Sequence, residues 1–162
     1  MLEDTLCRKT LLREEQDTLA RALHMEYLNQ QRSTEDFGTK RAHRPWEELD
    51  EDLRESNRRA ADHIPIKVRA LGLHTSPLQV GAMTAAAFTR HDIELLAKME
   101  HARWCAEKWL DGWHCGPRDD AQKANPDLVR WDDLPDKEKR IDLAFASAIV
   151  GALKEVEKGI YR

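Results

Sequence analysis

The stretch EHARWCAEKWLDGWHCGPRDD, from Glu100 to Asp120, holds the side chains of this chain that are best suited to chemistry. It contains three of the five tryptophans, two of the three cysteines and two of the seven histidines. On a helix, His101, Trp104 and Lys108 would share one face, because their spacings are three and four residues. A nucleobase stacked on an aromatic ring contributes roughly 1–3 kcal/mol, and arginine binds phosphate through paired contacts. The pattern therefore indicates a flat, polar, anionic ligand such as a nucleotide.

The same stretch also contains atom types that bind metals. His101, Cys105, His114 and Cys115 could supply nitrogen and sulfur ligands. Structural zinc sites combine two closely spaced ligand pairs such as Cys-x-x-Cys, and the sequence has no such pairs. We therefore expect no metal and no cofactor, with the nucleotide as a ligand.

General acid–base catalysis is a further alternative. The candidate groups are His24, His101, Asp119, Asp120 and Asp142. No P-loop, Gly-x-Ser-x-Gly elbow or Gly-rich dinucleotide fingerprint accompanies them. The sequence favours a non-catalytic binding domain over a small nucleotide hydrolase.

Composition argues against several classes of partner. Of 162 residues, 41% are hydrophobic and 35% are charged, and the net charge is −4. An acidic balance disfavours binding to a DNA or RNA duplex. No run approaches the roughly 20 apolar residues that span a bilayer. The first residues, MLEDTLCRKTLLREEQ, lack an apolar signal-peptide core, and the odd number of cysteines does not suit a disulfide framework. We expect a cytoplasmic protein.

Hydrophobic periodicity predicts a mainly helical chain. The first helix has an apolar stripe of Leu12, Leu19, Leu23 and Met25. The predicted order is helix Leu11–Gln31, loop Arg32–Pro45, a helical stretch Trp46–Leu73 interrupted at Pro65, linker His74–Thr89, helix Asp92–Asp111 ended by Gly112, irregular Gly112–Pro135 and helix Asp136–Lys158.

The two halves of the chain resemble each other. LARALHMEY aligns with LAKMEHARW, and PWEELDEDLRESN aligns with RWDDLPDKEKRID. The aligned pairs are His24 with His101, Tyr27 with Trp104, Trp46 with Trp131, Leu49 with Leu134 and Asn57 with Asp142. We expect a diverged repeat at 1–73, a linker at 74–91 and a second repeat at 92–162. Together they would form one compact domain of two pseudo-twofold-related helical hairpins with short β pieces in the connecting loops.

The loop GWHCGPRDD has both structural and ligand-binding interpretations. Gly116-Pro117 is typical of a turn, and Asp119 or Asp120 could cap a short helix or bind the ligand. A turn does not require Arg118, for which we expect a ligand contact or an interdomain ion pair. The remaining tryptophans, Trp46, Trp109, Trp113 and Trp131, are expected to serve mainly in packing.

The second half closely resembles the ryanodine-receptor repeat, or RyR domain. It carries the H-x-x-W pair of His101 and Trp104, the G-W-x-x-G-x-R-D-D loop, and an aromatic-x-x-Leu-Pro motif at Trp131. The resemblance implies a tandem of mainly helical repeats, of bacterial or phage type, that clamps an adenine-type nucleotide, or a cyclic or dinucleotide messenger, between its two copies.

The resemblance also implies roles for individual residues. Tyr27 and Trp104 would stack on the base, the loop arginine corresponds to Arg118, and the Asn or Asp after the second aromatic corresponds to Asn57 and Asp142. We further expect His24 and His101 to hydrogen-bond the ligand, Arg103 and Arg118 to neutralise phosphate, and Asn57 and Asp142 to contact base or sugar. Trp46 and Trp113 complete the candidate ligand site, and Arg41, Arg44 and Lys108 are possible phosphate contacts.

This chain departs from the family pattern in its first half. Tyrosine replaces tryptophan at Tyr27, which reduces the stacking area, and the first half lacks the G-W-x-x-G-x-R-D-D loop. The alternative is a protein-interaction module, with GAMTAAAF as an apolar surface and a homodimer or an effector as partner.

Overall fold

The computed structural model describes residues 2–79 and 88–162, with side chains from residue 16 onward. It is mainly helical with one small sheet, which confirms the predicted fold class. The elements in chain order are helix α1 (Leu2–Gln31), a 3₁₀ turn (Trp46–Glu48), α2 (Glu51–Asp62), α3 (Ile64–Ala70), strand β1 (His74–Pro77), α4 (Arg90–Leu110), a second 3₁₀ turn (Trp131–Asp133), α5 (Asp136–Glu155) and strand β2 (Lys158–Tyr161). No helix in the described ranges is long and apolar enough to cross a bilayer.

The chain forms two compact units. The first unit comprises Met1–Ala87 and Ala148–Arg162, and the second unit comprises Phe88–Ser147. Helix α5 therefore begins in the second unit and ends in the first.

In the first unit, α1 packs against α2. Among the described side chains of α1, Leu19, Ala20, Leu23, His24 and Gln31 are buried. The first four have spacings of one, three and four residues and define one helix face. Met25 was predicted on the apolar stripe, and that prediction is wrong, because the side chain lies beyond the edge of this face and is exposed.

The helical stretch after Pro45 is interrupted close to residues that disfavour a continuous helix. A 3₁₀ turn at Trp46 ends at the buried Leu49, whose backbone is extended. Pro65 lies in the first turn of α3, where its missing N–H leaves no helical bond unmade. The predicted interruption at Pro65 is confirmed.

The structure has a two-stranded sheet where the sequence predicted a linker and the end of the last helix. β1 pairs antiparallel with β2, with Thr75 opposite Ile160. Helix α5 ends at Glu155, not Lys158, because the chain reverses at Glu157, whose φ is 54°. The segment GAMTAAA of the predicted apolar surface lies outside the described residues.

In the second unit, α4 begins and ends at residues suited to those positions. The Thr89 side chain accepts a hydrogen bond from the Asp92 amide, and the Asp92 carboxylate accepts one from the Thr89 amide. This reciprocal pair satisfies two N–H groups at the start of the helix. Gly112, at φ 84°, turns the chain away after Leu110, as the sequence predicts.

Candidate functional site

His101 is held between two acceptors in the second unit. Its Nε2 lies 2.8 Å from the Val129 carbonyl oxygen, and its Nδ1 lies 3.4 Å from Oδ2 of Asp142 on α5. The buried Leu128 anchors the segment that presents the carbonyl. A doubly protonated imidazole donates to both acceptors at once, so this arrangement favours a buried imidazolium paired with a carboxylate.

The surroundings of His101 shift the titration of both partners. Burial by itself lowers the pKa of His101, but hydrogen bonds to Asp142, Cys105 and the Val129 carbonyl outweigh it and raise the pKa to about 10. Burial raises the pKa of Asp142, and the hydrogen bond from His101 opposes that shift. The ion pair is the state that satisfies every one of these polar groups.

Trp104 lies beside this charged imidazole. The two ring centroids are 6.1 Å apart, with the planes inclined by 30°. Trp104 is half-buried, so part of its indole remains available to another planar group. Trp131 contacts the same imidazole edge-on at 5.9 Å, and the Lys139 ammonium lies 5.9 Å from the centre of the Trp131 ring.

Lys108, one turn beyond Trp104, lies over a second indole. Its ammonium is 5.4 Å from the centre of the Trp113 ring, a cation–π geometry. Within residues 16–79 and 88–162, no carboxylate pairs with Lys108. Trp113 and Trp131 were expected to be packing anchors, but both are only half-buried.

Arg103 is bound by two glutamates of its own helix. It donates to Glu100 at 2.7 Å and to Glu107 at 2.6 Å, and all three side chains are largely buried. Burial alone lowers the pKa of Arg103, and the glutamates raise it. The predicted phosphate contact stays a prediction, and a phosphate would compete with both carboxylates. Sequence reasoning missed this cluster, although the spacing of three and four residues around Arg103 was a signal for it.

The loop after α4 is stabilised by its own side chains. Arg118 donates to Asp127 at 2.8 Å and lies 3.4 Å from Oδ1 of the buried Asn125. Asp119 accepts hydrogen bonds from the amides of Ala121 and Gln122. Asp119 thus stabilises a turn, as in the structural interpretation of this loop. Arg118 forms its ion pair within the same loop.

Cys105 and His101 show the geometry of a thiol beside an imidazole. Sγ lies 3.5 Å from Nε2, and Asp142 lies against the other ring nitrogen. The cysteine is only 3% exposed, and the Val129 carbonyl also contacts Nε2. The geometry fits a packed thiol, because a nucleophile must reach its substrate. Within the described ranges, no three His, Cys, Asp or Glu side chains are placed to hold a metal ion.

His24, which the sequence aligns with His101, lies in the first unit and has a different electrostatic environment. His24 Nε2 lies 2.7 Å from the Arg44 carbonyl oxygen, two residues before Trp46, as Val129 is two residues before Trp131. Asn57 donates instead to the Leu53 carbonyl of its own helix. Burial lowers the pKa of His24, and the Arg44 carbonyl opposes this shift. His24 is therefore neutral near pH 7.

The aromatic rings around His24 repeat those around His101. Tyr27 lies 5.9 Å from His24 at 30°, and the buried Trp46 lies 6.4 Å away. Arg41 is bound to Asp50 and Asp52, and the side chains of Arg41 and Arg44 are both exposed. A phosphate at Arg41 would compete with these two carboxylates.

The exposure of Trp109 contradicts the expectation that this residue serves in packing. It is 56% exposed, although the sequence predicts a packing residue. Its position five residues after Trp104 puts it on a different face of α4.

Residues 75–161 match the family model described as the RyR domain. The match covers more than half of the chain and includes His101, Trp104, Arg118 and Asp142. A search among curated proteins found no match.

Proposed function

Because the chain belongs to the RyR domain family, we propose that it binds a nucleotide without turning it over, with the base stacked on Trp104. The observation that carries this proposal is the half-buried indole of Trp104 beside the charged imidazole of His101. Buried aromatic rings with a few fixed polar groups are the usual lining of small-molecule sites.

Lys108 is the cation best suited to the phosphate. It lies four residues after Trp104, on the same face of α4, and its ammonium has no carboxylate partner among the described side chains. Arg118 and Arg103 would contribute only by exchanging their present carboxylate partners. We therefore propose Lys108 as the first phosphate contact and the two arginines as secondary ones.

We also propose that the first unit contains a diverged second repeat. Equivalent positions support it: both histidines bond the carbonyl two residues before a 3₁₀ tryptophan, and both turns end at a buried leucine, Leu49 or Leu134. In this interpretation Tyr27 offers the second stacking surface, and Asn57 and Asp142 account for the different charge of the two histidines.

The ligand class and setting are also proposals. An adenine-type nucleotide would fit a site that offers one or two aromatic rings and few cations without a carboxylate partner. A cyclic or dinucleotide messenger would place less negative charge near Asp142 than ATP would. We propose a sensor or sequestering domain in the cytoplasm of a bacterium or a phage-infected cell, with output through a partner protein or a second copy of the chain.

A thermal-shift panel tests the proposed function. The ligands are ATP, AMP, ADP-ribose, NAD, cyclic mononucleotides, and cyclic di- and trinucleotides. Binding to the native state raises the melting temperature by mass action, and we expect at least one selective increase that is smaller in Lys108→Ala. An unchanged melting temperature with every ligand would contradict nucleotide binding.

One observation favours a protein-interaction module as the second candidate. Trp109 and Leu110, adjacent at the end of α4, are 56% and 89% exposed, and exposed apolar pairs are common at interfaces. This candidate predicts that Trp109→Ala weakens self-association or partner binding while nucleotide binding is unaffected. Sedimentation velocity of the parent and the variant measures the self-association.

A further inference from the structure

The end of helix α4 fixes Trp113 against Lys108. The Trp113 amide donates to the Lys108 carbonyl at 2.9 Å, and the Gly112 amide donates to the Trp109 carbonyl at 3.0 Å. With Gly112 at φ 84°, these two hydrogen bonds form a Schellman motif, which closes the last turn of a helix. The backbone therefore holds residues 108 and 113 next to each other.

The side chains at these two positions form an unusual pair. In a Schellman motif the same two positions frequently make an apolar contact. Here the Lys108 ammonium lies 5.4 Å from the centre of the Trp113 ring, and both side chains are half-buried. The helix end thus places a cation on an indole ring where a second apolar side chain would be common.

The Lys108 ammonium does not cap the helix. Lysines near a helix C-terminus often bond its last carbonyl groups, and Lys123 does so here, because its ammonium donates to the Asp111 carbonyl at 2.7 Å. Among the side chains that the structure describes, no carboxylate pairs with the Lys108 ammonium, and the ammonium donates no hydrogen bond. The usual structural role of such a lysine is therefore performed by Lys123.

An indole ring orders an ammonium without neutralising it. The ring attracts the cation through its quadrupole and carries no negative charge, so an anion can approach without displacing a carboxylate. Arg103 and Arg118, by contrast, are paired with carboxylates. A lysine side chain that a ring already orders also loses less conformational freedom when an anion binds.

We infer that Trp113 is a positioning residue, whose ring holds the Lys108 ammonium as the phosphate subsite of the ligand stacked on Trp104. Lys108 lies four residues after Trp104 on the same helix face, which is about 6 Å along the axis. The inference rests on the proposed nucleotide function. It gives Trp113 a contact with the lysine, not with the base.

Proton NMR of the free protein tests the position of the ammonium. Protons above an aromatic ring resonate upfield, so the ε-methylene protons of Lys108 should lie upfield of those of Lys98, an exposed lysine of the same helix. The difference should disappear in Trp113→Leu and be retained in Trp113→Phe. Equal shifts for Lys108 and Lys98 in the parent would overturn the inference, and this comparison needs no variant that could fail to fold.

Titration with inorganic pyrophosphate tests the subsite without a base. We expect pyrophosphate to shift the Lys108 ε-methylene signal in the parent, and its affinity to fall about 2- to 12-fold in Trp113→Leu, because the ammonium must then be ordered on binding. Trp113→Phe should retain most of the affinity, and Lys98→Ala should match the parent. A Lys108 signal that pyrophosphate does not move, or parent-like affinity in Trp113→Leu, would overturn the subsite.

A series of adenine ligands separates positioning from a general structural role. ATP, AMP and adenosine share a base and differ in phosphate. By calorimetry, Trp113→Leu should bind ATP more weakly than the parent by about the same factor as pyrophosphate, while adenosine, which has no phosphate for Lys108, should bind equally to both. An equal loss for adenosine and ATP would mean that Trp113 supports the base or the fold instead.

Failure of this inference and failure of the proposed function have different signatures. Trp104→Ala should bind pyrophosphate like the parent, because that variant keeps Lys108 and Trp113. A parent that responds to pyrophosphate at Lys108 but binds no nucleotide would contradict the function assigned to Trp104 and retain the role of Trp113. Nucleotide binding that is lost in Trp104→Ala but unchanged in Trp113→Leu would retain the function and overturn this inference.

Discussion

At the scale of single residues, His24 and His101, which align with each other in the sequence, carry different charge. Each bonds a backbone carbonyl through Nε2. Only His101 has a carboxylate, Asp142, against its second nitrogen, because the matching residue Asn57 bonds its own helix. Asp142, together with Cys105, thus makes His101 an imidazolium, whereas His24 is neutral.

The charge of His101 predicts a pH dependence of stability. The folded pKa of about 10 lies above the ordinary value of 6.5, so the folded state binds the proton more tightly than the unfolded state. This stabilisation is fully present below pH 6.5 and is lost as the pH rises from 6.5 to about 10. Melting temperatures measured by circular dichroism across this range should therefore fall in the parent.

Asp142→Asn is the matched control for that titration. Asparagine keeps an acceptor but removes the negative charge that favours the imidazolium, so the fall between pH 6.5 and 10 should be smaller. Parallel curves for the parent and Asp142→Asn would show that the ion pair does not form.

Arg103 predicts a large effect of a single substitution on stability. Replacing it by methionine leaves Glu100 and Glu107 buried without their shared cation. Breaking a buried ion pair in this way costs about 3–5 kcal/mol. Urea unfolding should show that loss for Arg103→Met, and only about 0–1 kcal/mol for Arg130→Met, whose partner Asp133 is exposed. Similar losses for the two variants would contradict the role of burial.

At the scale of elements, local signals in the sequence predicted most boundaries. Pro65 and Gly112 divide the helices where their backbone chemistry requires, and the two aligned tryptophans each begin a 3₁₀ turn. The sheet could not be predicted in this way, because β1 and β2 are short and lie far apart in sequence. The pairing of Arg103 with Glu100 and Glu107 was likewise missed, because the charge of Arg103 was expected to bind a ligand phosphate.

The start of α4 provides a test at this scale. Thr89→Ala removes the hydroxyl that accepts from the Asp92 amide, and the loss of such a cap costs about 0.5–2 kcal/mol. Thr89→Ser keeps the oxygen and should restore most of the stability in the same urea titration. A serine variant as unstable as the alanine variant would mean that the hydroxyl bond is not the cause.

At the scale of the whole molecule, β2 joins the C-terminal segment to the middle of the chain. Ile160 is buried and lies opposite Thr75 of β1. The sequence placed Thr75 in a linker and ended the last helix at Lys158, two residues before Ile160, because neither segment has a strand pattern without its partner. The helical class and the histidine–aromatic pairs could be predicted, since both arise from residues close together in sequence.

Ile160→Ala tests how much this pairing contributes. Removing a buried isoleucine side chain costs about 2–5 kcal/mol, whereas Ile66→Ala, at an exposed position, should change the free energy of unfolding by no more than about 0.5 kcal/mol. Thermal denaturation of the two variants measures the difference. Equal effects would mean that β2 adds little to the fold.

The central claim is that Trp104 is a stacking surface for a nucleotide, and the most direct test is a binding titration of two tryptophan variants of one helix. The nucleotide with the largest thermal shift is titrated by calorimetry into the parent, Trp104→Ala and Trp109→Ala. A base stacked on an aromatic ring contributes roughly 1–3 kcal/mol, so Trp104→Ala should bind about 5- to 150-fold more weakly, while Trp109→Ala should bind like the parent. Parent-like affinity in Trp104→Ala would contradict the claim.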